Sequence, residues 1–175
     1  MIRLPLTRNN VINYARRYQE LMVGTNDEKI ENELLAWFDN HKFLDRTHFL
    51  KLCLWKSPRP KKHYEDAINS DERIKYITSL AISSTDEYFK ISSLQLLKGV
   101  SMPVASVILH FARPDKYPIL DFRAIWSLGW QQPKQYTFEF WEKYCNYIRE
   151  TAKSLKVSLR ILDKALWQYS KEHQK

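Results

Sequence analysis

The residues of this sequence able to do chemistry fall into three groups. In the first, Lys98-Gly99-Val100-Ser101 interrupts two apolar helical stretches, and Met102-Pro103 opens the second of them. A four-residue turn with glycine where φ is positive makes a tight αα-hairpin, and Pro103 fits the first turn of a helix, where a missing N–H costs nothing. Such a turn gathers unpaired backbone N–H groups at the positive end of a helix dipole, which suits an anion such as phosphate. It is equally a plain structural corner. In the second, Lys56, Arg59, Lys61 and Lys62 surround the prolines Pro58 and Pro60 just after Trp55. Two prolines stiffen this loop, which carries the densest positive charge in the chain. It reads either as a solvated connector with Trp55 turned inward or as a contact for a polyanion. In the third, Asp121 stands at a helix start beside Arg123, with Tyr117, Phe122 and Trp126 close by in sequence. As a residue type Asp121 can simply cap the helix at residues 122–128. Arg123 can meet phosphate or a carboxylate. The aromatics serve a core or offer flat stacking surfaces. His110, on an apolar helix, reads most simply as a satisfied core residue.

The elements that must hold these groups are all helical. Apolar residues recur at helical spacing over residues 7–22, 27–40, 45–55, 71–82, 85–97, 102–112, 137–155 and 158–172, with shorter helices at 64–69 and 122–128. Ser70-Asp71-Glu72 and Ser84-Thr85-Asp86-Glu87 carry N-cap signals with acids in the first turn. No stretch alternates with period two, and no Asn-Gly or Asp-Gly hairpin turn occurs. The expected fold is therefore all-α.

Composition narrows the classes further. A chain of 175 residues with 44% hydrophobic residues is long enough for one compact domain with a core. Its three glycines are too few and too scattered for a Rossmann or P-loop phosphate turn. The formal charge of +8 is the electrostatic footprint expected of a nucleic-acid binder. Cys53 and Cys145 sit in apolar helical contexts and read as buried thiols. No metal-ligand spacing and no clustered cysteines are present, so neither a metal, an iron–sulfur cluster nor another cofactor is expected. No run suits a signal peptide or a membrane span, which points to a cytoplasmic protein that meets no membrane.

Leu97, Gly99, Val100, Ala105, Leu109, Phe111, Asp121, Leu128 and Gly129 follow a recurring pattern: a hairpin motif, a loop, an apolar-Asp pair, then a helix ending in Leu-Gly. This pattern resembles the helix-hairpin-helix and catalytic-aspartate segment of the endonuclease III-like DNA glycosylases. Position 103 matches the family's lyase lysine, and the acid follows eighteen residues later, as the family's motif requires. Two positions depart: Ser101 replaces the second hairpin glycine, and Pro103 replaces the lysine. The resemblance implies two helical lobes with a cleft between them. One lobe, residues 41–129, would carry the hairpin, and the other would form from residues 1–40 and 130–175.

The resemblance also implies DNA as partner and hydrolysis of the N-glycosidic bond of a damaged or modified base, with Asp121 as the catalytic carboxylate. Such cleavage builds positive charge on the sugar, which a carboxylate can stabilise while it takes a proton from water. Without a lysine at 103 the activity would be monofunctional, since no amine is there to form an imine. Gly99, Val100 and Ser101, together with Lys56, Arg59, Lys61, Lys62 and Arg123, are the expected DNA contacts. Trp55, Tyr117, Trp126 and His110 are the expected base-pocket residues. The rival readings are a non-catalytic helix-hairpin-helix DNA-binding protein and a helical protein-interaction module.

Overall fold

The computed structural model describes residues 3–174, and every regular element among them is an α-helix. The ten helices are α1 (Arg8–Met22), α2 (Asn26–Asn40), α3 (Arg46–Lys56), α4 (Lys61–Tyr64), α5 (Asp71–Ser83), α6 (Glu87–Leu94), α7 (Met102–Ala112), α8 (Phe122–Ser127), α9 (Phe138–Leu155) and α10 (Leu159–His173). The all-α expectation holds. Most helix starts are set by local chemistry. Thr7, Thr25, Asp45, Ser70, Asp86, Thr137 and Ser158 each accept a hydrogen bond from the backbone N–H three residues on. That bond satisfies one of the donors a helix start leaves open.

Two boundaries differ from the sequence pattern. The short helix expected at 64–69 lies instead at Lys61–Tyr64, and residues 65–69 form turns. Asp66 competes with helical bonding there: its carboxylate accepts from Ile68 N at 3.0 Å and its carbonyl from Asn69 N at 3.0 Å. Likewise α6 stops at Leu94 rather than Leu97, and three successive i→i+3 bonds, ending with Leu97 N to Leu94 O at 3.2 Å, wind the chain down into the hairpin turn.

The chain divides into two compact units, residues 24–113 and residues 1–23 together with 114–175. In the first, α7 is the central strut. Residues 104–111 are all buried, and the helix packs against α2, α3 and α6. A helix apolar all round must be covered on every side, and Phe49, Leu52, Ile91 and Leu94 are among the fully buried residues of this unit. In the second unit α1 lies along α10, and α10 also covers α8. Val11 and Tyr18 on α1 and Leu162 and Leu166 on α10 are buried, and the Ser127 hydroxyl donates to Leu166 O at 2.6 Å. These boundaries are not those drawn from the resemblance. Because α2 packs on α3 and α7, it groups with the hairpin, and because α8 packs on α10, the segment with Asp121 groups with the chain ends.

Among the described residues no helix is long and apolar enough to cross a membrane. Cys53 and Cys145 are buried free thiols, and burial pushes the Cys53 thiol well above its usual range.

Candidate nucleic-acid interface and carboxylate

The hairpin turn is fixed from beneath. Gly99 has φ +89°, and a side chain there would meet Tyr64 Cδ1 at 2.8 Å and His63 Cβ at 2.9 Å. Backbone and α4 therefore touch where only glycine fits. Asn69, fully buried, locks the other end of the turn. Its amide nitrogen lies 3.0 Å from Lys98 O, 3.1 Å from Tyr64 O and 3.2 Å from His63 O, and its carbonyl accepts from Lys98 N at 2.9 Å. Arg46 adds a guanidinium that donates to Glu65 O at 2.8 Å and to Asn69 O. Lys98 is turned away to pair with Asp66, whose carboxyl this hydrogen bond holds below its usual range.

This clamp brings two of the sequence-derived groups together within one unit. The basic residues Lys61 and Lys62 occupy α4, the same four-residue helix whose Tyr64 ring supports Gly99. Both are exposed, as is Arg59, whereas Lys56 is half-buried at the end of α3. Val100 is buried, so its part in any contact is limited to backbone. Ser101 is exposed and occupies the N-cap position of α7, yet makes no side-chain cap bond. The leading N–H groups of α7 thus lack the side-chain cap that most other helix starts here have. Trp55 is half-buried, with its ring edge-on to Phe111 at 5.5 Å. His110 is 2% exposed, in the same apolar layer.

Asp121 belongs to the other unit. Its backbone is extended, it is half-buried, and it is the N-cap of α8, with Oδ1 accepting from Arg123 N at 2.8 Å. The cap expected from its position is present. Arg123 lays its guanidinium against the rings of Phe122 and Trp167, at 5.2 and 5.4 Å from their centroids. Tyr117 is 2% exposed and stacks on Trp141 at 6.2 Å, with the Arg149 guanidinium 5.5 Å from its centroid. A ligand would reach Tyr117 or His110 only if the core opened. Trp126 is placed differently: it is half-buried and lines a cavity of about 530 Å³ with Phe122 and Trp130. Tyr136 is close enough to Asp121 to feel its charge; its hydroxyl is pushed up mainly by burial and further by that carboxylate.

Several residues here gave no sequence signal. Asn69 works through Lys98, twenty-nine residues away, and Arg3 reaches the cavity from the opposite end of the chain. Among the described residues no group of three or more His, Cys, Asp or Glu side chains could hold a metal ion. Comparison of the chain with family models, with curated proteins and with solved structures finds no match, so the functional reading rests on these residues themselves.

Proposed function

We propose that this chain is a monofunctional DNA glycosylase-like protein that holds DNA backbone at the hairpin and hydrolyses the N-glycosidic bond of a modified base with Asp121. One observation carries the reading: the glycine clamp seats the turn that leads into the uncapped start of α7 against the basic helix α4. A helix N-terminus offers a phosphate directed N–H donors, and the exposed Arg59, Lys61 and Lys62 of the same unit would add charge. In this reading Asp121 stabilises the cationic sugar and accepts the proton of the attacking water. Pro103 at the start of α7 offers no amine, so the strand would stay intact.

The test uses duplex oligonucleotides carrying deaminated, alkylated or oxidised bases. Free base should be released, leaving a strand that breaks only after alkali, with no adduct trapped by borohydride. Asp121→Asn keeps shape and capping capacity but removes the charge, so it should abolish release while leaving binding intact. A trapped adduct would show that another lysine serves as nucleophile. A second reading, a non-catalytic DNA-binding protein, is favoured by the Asp121–Arg123 N bond, which gives the carboxylate a structural role. Salt-sensitive binding with no base released from any substrate would select it. Absence of binding to any nucleic acid would remove both.

A further inference from the structure

The cavity in the unit of residues 1–23 and 114–175 is built to hold something flat. Phe122 and Trp126 stand four residues apart on α8, so their rings share one face. Trp130 joins them because the chain turns back just after α8: Gly129 N donates to Trp126 O at 2.9 Å and Trp130 N to Ile125 O at 3.1 Å. Each indole is backed by further rings. Trp130 has Tyr147 at 5.1 Å and Phe140 edge-on at 6.1 Å, and Trp126 has Tyr169 at 6.1 Å. The stacking surfaces are thus set before any ligand arrives. Phe122, an aromatic ring at the lip, is 50% exposed to water.

The polar part of the wall is equally selective. Its polar residues are Arg3, Gln131, Gln132 and Gln174, with no acid among the described residues that line it. The Arg3 guanidinium lies 4.5 Å from the Trp126 ring centroid and donates to Trp126 O at 2.5 Å. A cationic guest, which would ordinarily seek an indole face, meets a resident cation there. Gln132 donates to the Tyr136 hydroxyl, which orients its amide. A carboxamide presents a donor and an acceptor side by side, the pattern that matches the edge of a purine or pyrimidine.

We infer that this cavity binds a nucleobase, stacked on Phe122, Trp126 and Trp130 and read at its edge by Gln131 and Gln132. The inference rests on the proposed function in one respect only, that the base held here is the one Asp121 would release. Phe122 follows Asp121 directly, and Tyr136, which feels the Asp121 charge, holds Gln132. The guest could be a base extruded from a strand or the base of a free nucleoside, which share this chemistry.

Two titrations of the whole chain distinguish these sources, using 2-aminopurine, whose fluorescence is quenched on stacking. One uses 2-aminopurine riboside and the other a single-stranded oligonucleotide with one 2-aminopurine. Quenching in either arm is expected, and Phe122→Ala should weaken it about ten-fold, the scale of one lost aromatic–base stack. Phe122 is half-exposed, so that variant should fold; Trp126→Ala and Gln132→Leu should act in the same direction, by more and by less respectively. Quenching of the riboside alone identifies a free nucleoside as guest, and quenching within the oligonucleotide alone identifies an extruded base. No quenching in either arm, or quenching that Phe122→Ala and Trp126→Ala both leave unchanged, overturns the inference. The riboside arm needs neither the hairpin nor Asp121. Phe122-dependent riboside binding without base release from DNA would sustain the inference while the glycosylase reading fails. Base release unaffected by Phe122→Ala and Trp126→Ala would do the reverse.

Discussion

At Gly99 both the backbone angle and the available space exclude a side chain, and the two effects can be separated. Gly24 has a similar angle, φ +75°, but nothing within 4 Å of where a Cβ would be. Gly24→Ala should therefore cost only the left-handed backbone penalty, about 1–2 kcal/mol. Gly99→Ala adds the collision with Tyr64 and His63 and should cost about 2–5 kcal/mol; urea denaturation of the two variants measures the difference. Tyr64, the ring beneath Gly99, gives the protein an alkaline limit. Burial pushes its hydroxyl up to about 12 from an unfolded value of 10.0. The unfolded chain therefore loses this proton first. The stability associated with the neutral ring is complete below pH 10 and is lost as pH rises through 12, about 2–3 kcal/mol in all. Tyr64→Phe keeps the ring under Gly99 and should remove that part of the decline between pH 10 and 12, seen in urea midpoints. Some decline should remain, because burial also raises Tyr144 well above its usual range.

Among the elements, α4 and the start of α7 are where binding and stability can be moved independently. Lys61 and Lys62 are exposed, and the Lys61–Glu65 pair at 3.6 Å lies at the surface, where such pairs contribute little. Reversing both charges to Glu should change stability by under about 0.5 kcal/mol. If each lysine meets a phosphate, the slope of log affinity against log salt should fall by about 2; an unchanged slope places the contact elsewhere. Ser101→Asp is a sharper probe. A carboxylate at the N-cap of α7 should stabilise that helix by about 0.3–1 kcal/mol, yet repel a phosphate from the same place. A higher melting temperature with weaker DNA binding is expected; unaltered binding would leave the hairpin a plain corner. Elements of this kind were legible in the sequence to the extent that their signals were local. Ser70 and the run from Ser84 to Glu87 announced their helices, and the Gly99 turn announced the hairpin. The stops of α4 and α6 were not legible, because the turns that follow them are tied together by a bridge from the buried Asn69 to Lys98, twenty-nine positions on. Asp121 was legible as a cap, whereas the cavity beside it was not, since its wall joins Arg3 to residues more than a hundred positions on.

For the molecule as a whole, the decisive fact is that one compact unit is continuous in sequence and the other is not. Each has its own buried core, so local damage should stay within a unit. Val11 on α1 is fully buried in the unit that contains α10. Val11→Asp places an unpaired charge there and should cost at least about 3 kcal/mol. Hydrogen exchange should then show lost amide protection in α1, α8 and α10 with protection kept in α7; uniform loss would mean that the two units unfold as one. The discontinuity also orders events during synthesis. Residues 24–113 can collapse on α7 as soon as they leave the ribosome. Helix α1 precedes them in the chain but finds its partner only when α10, beginning at Leu159, has been made. At ordinary elongation rates that delay is on the order of ten seconds. Throughout it the Val11, Ala15 and Tyr18 stripe of the nascent chain has no permanent cover. A helix made before residues 24–113 is thus stitched in after them, and it is where a chaperone would find a long-lived foothold.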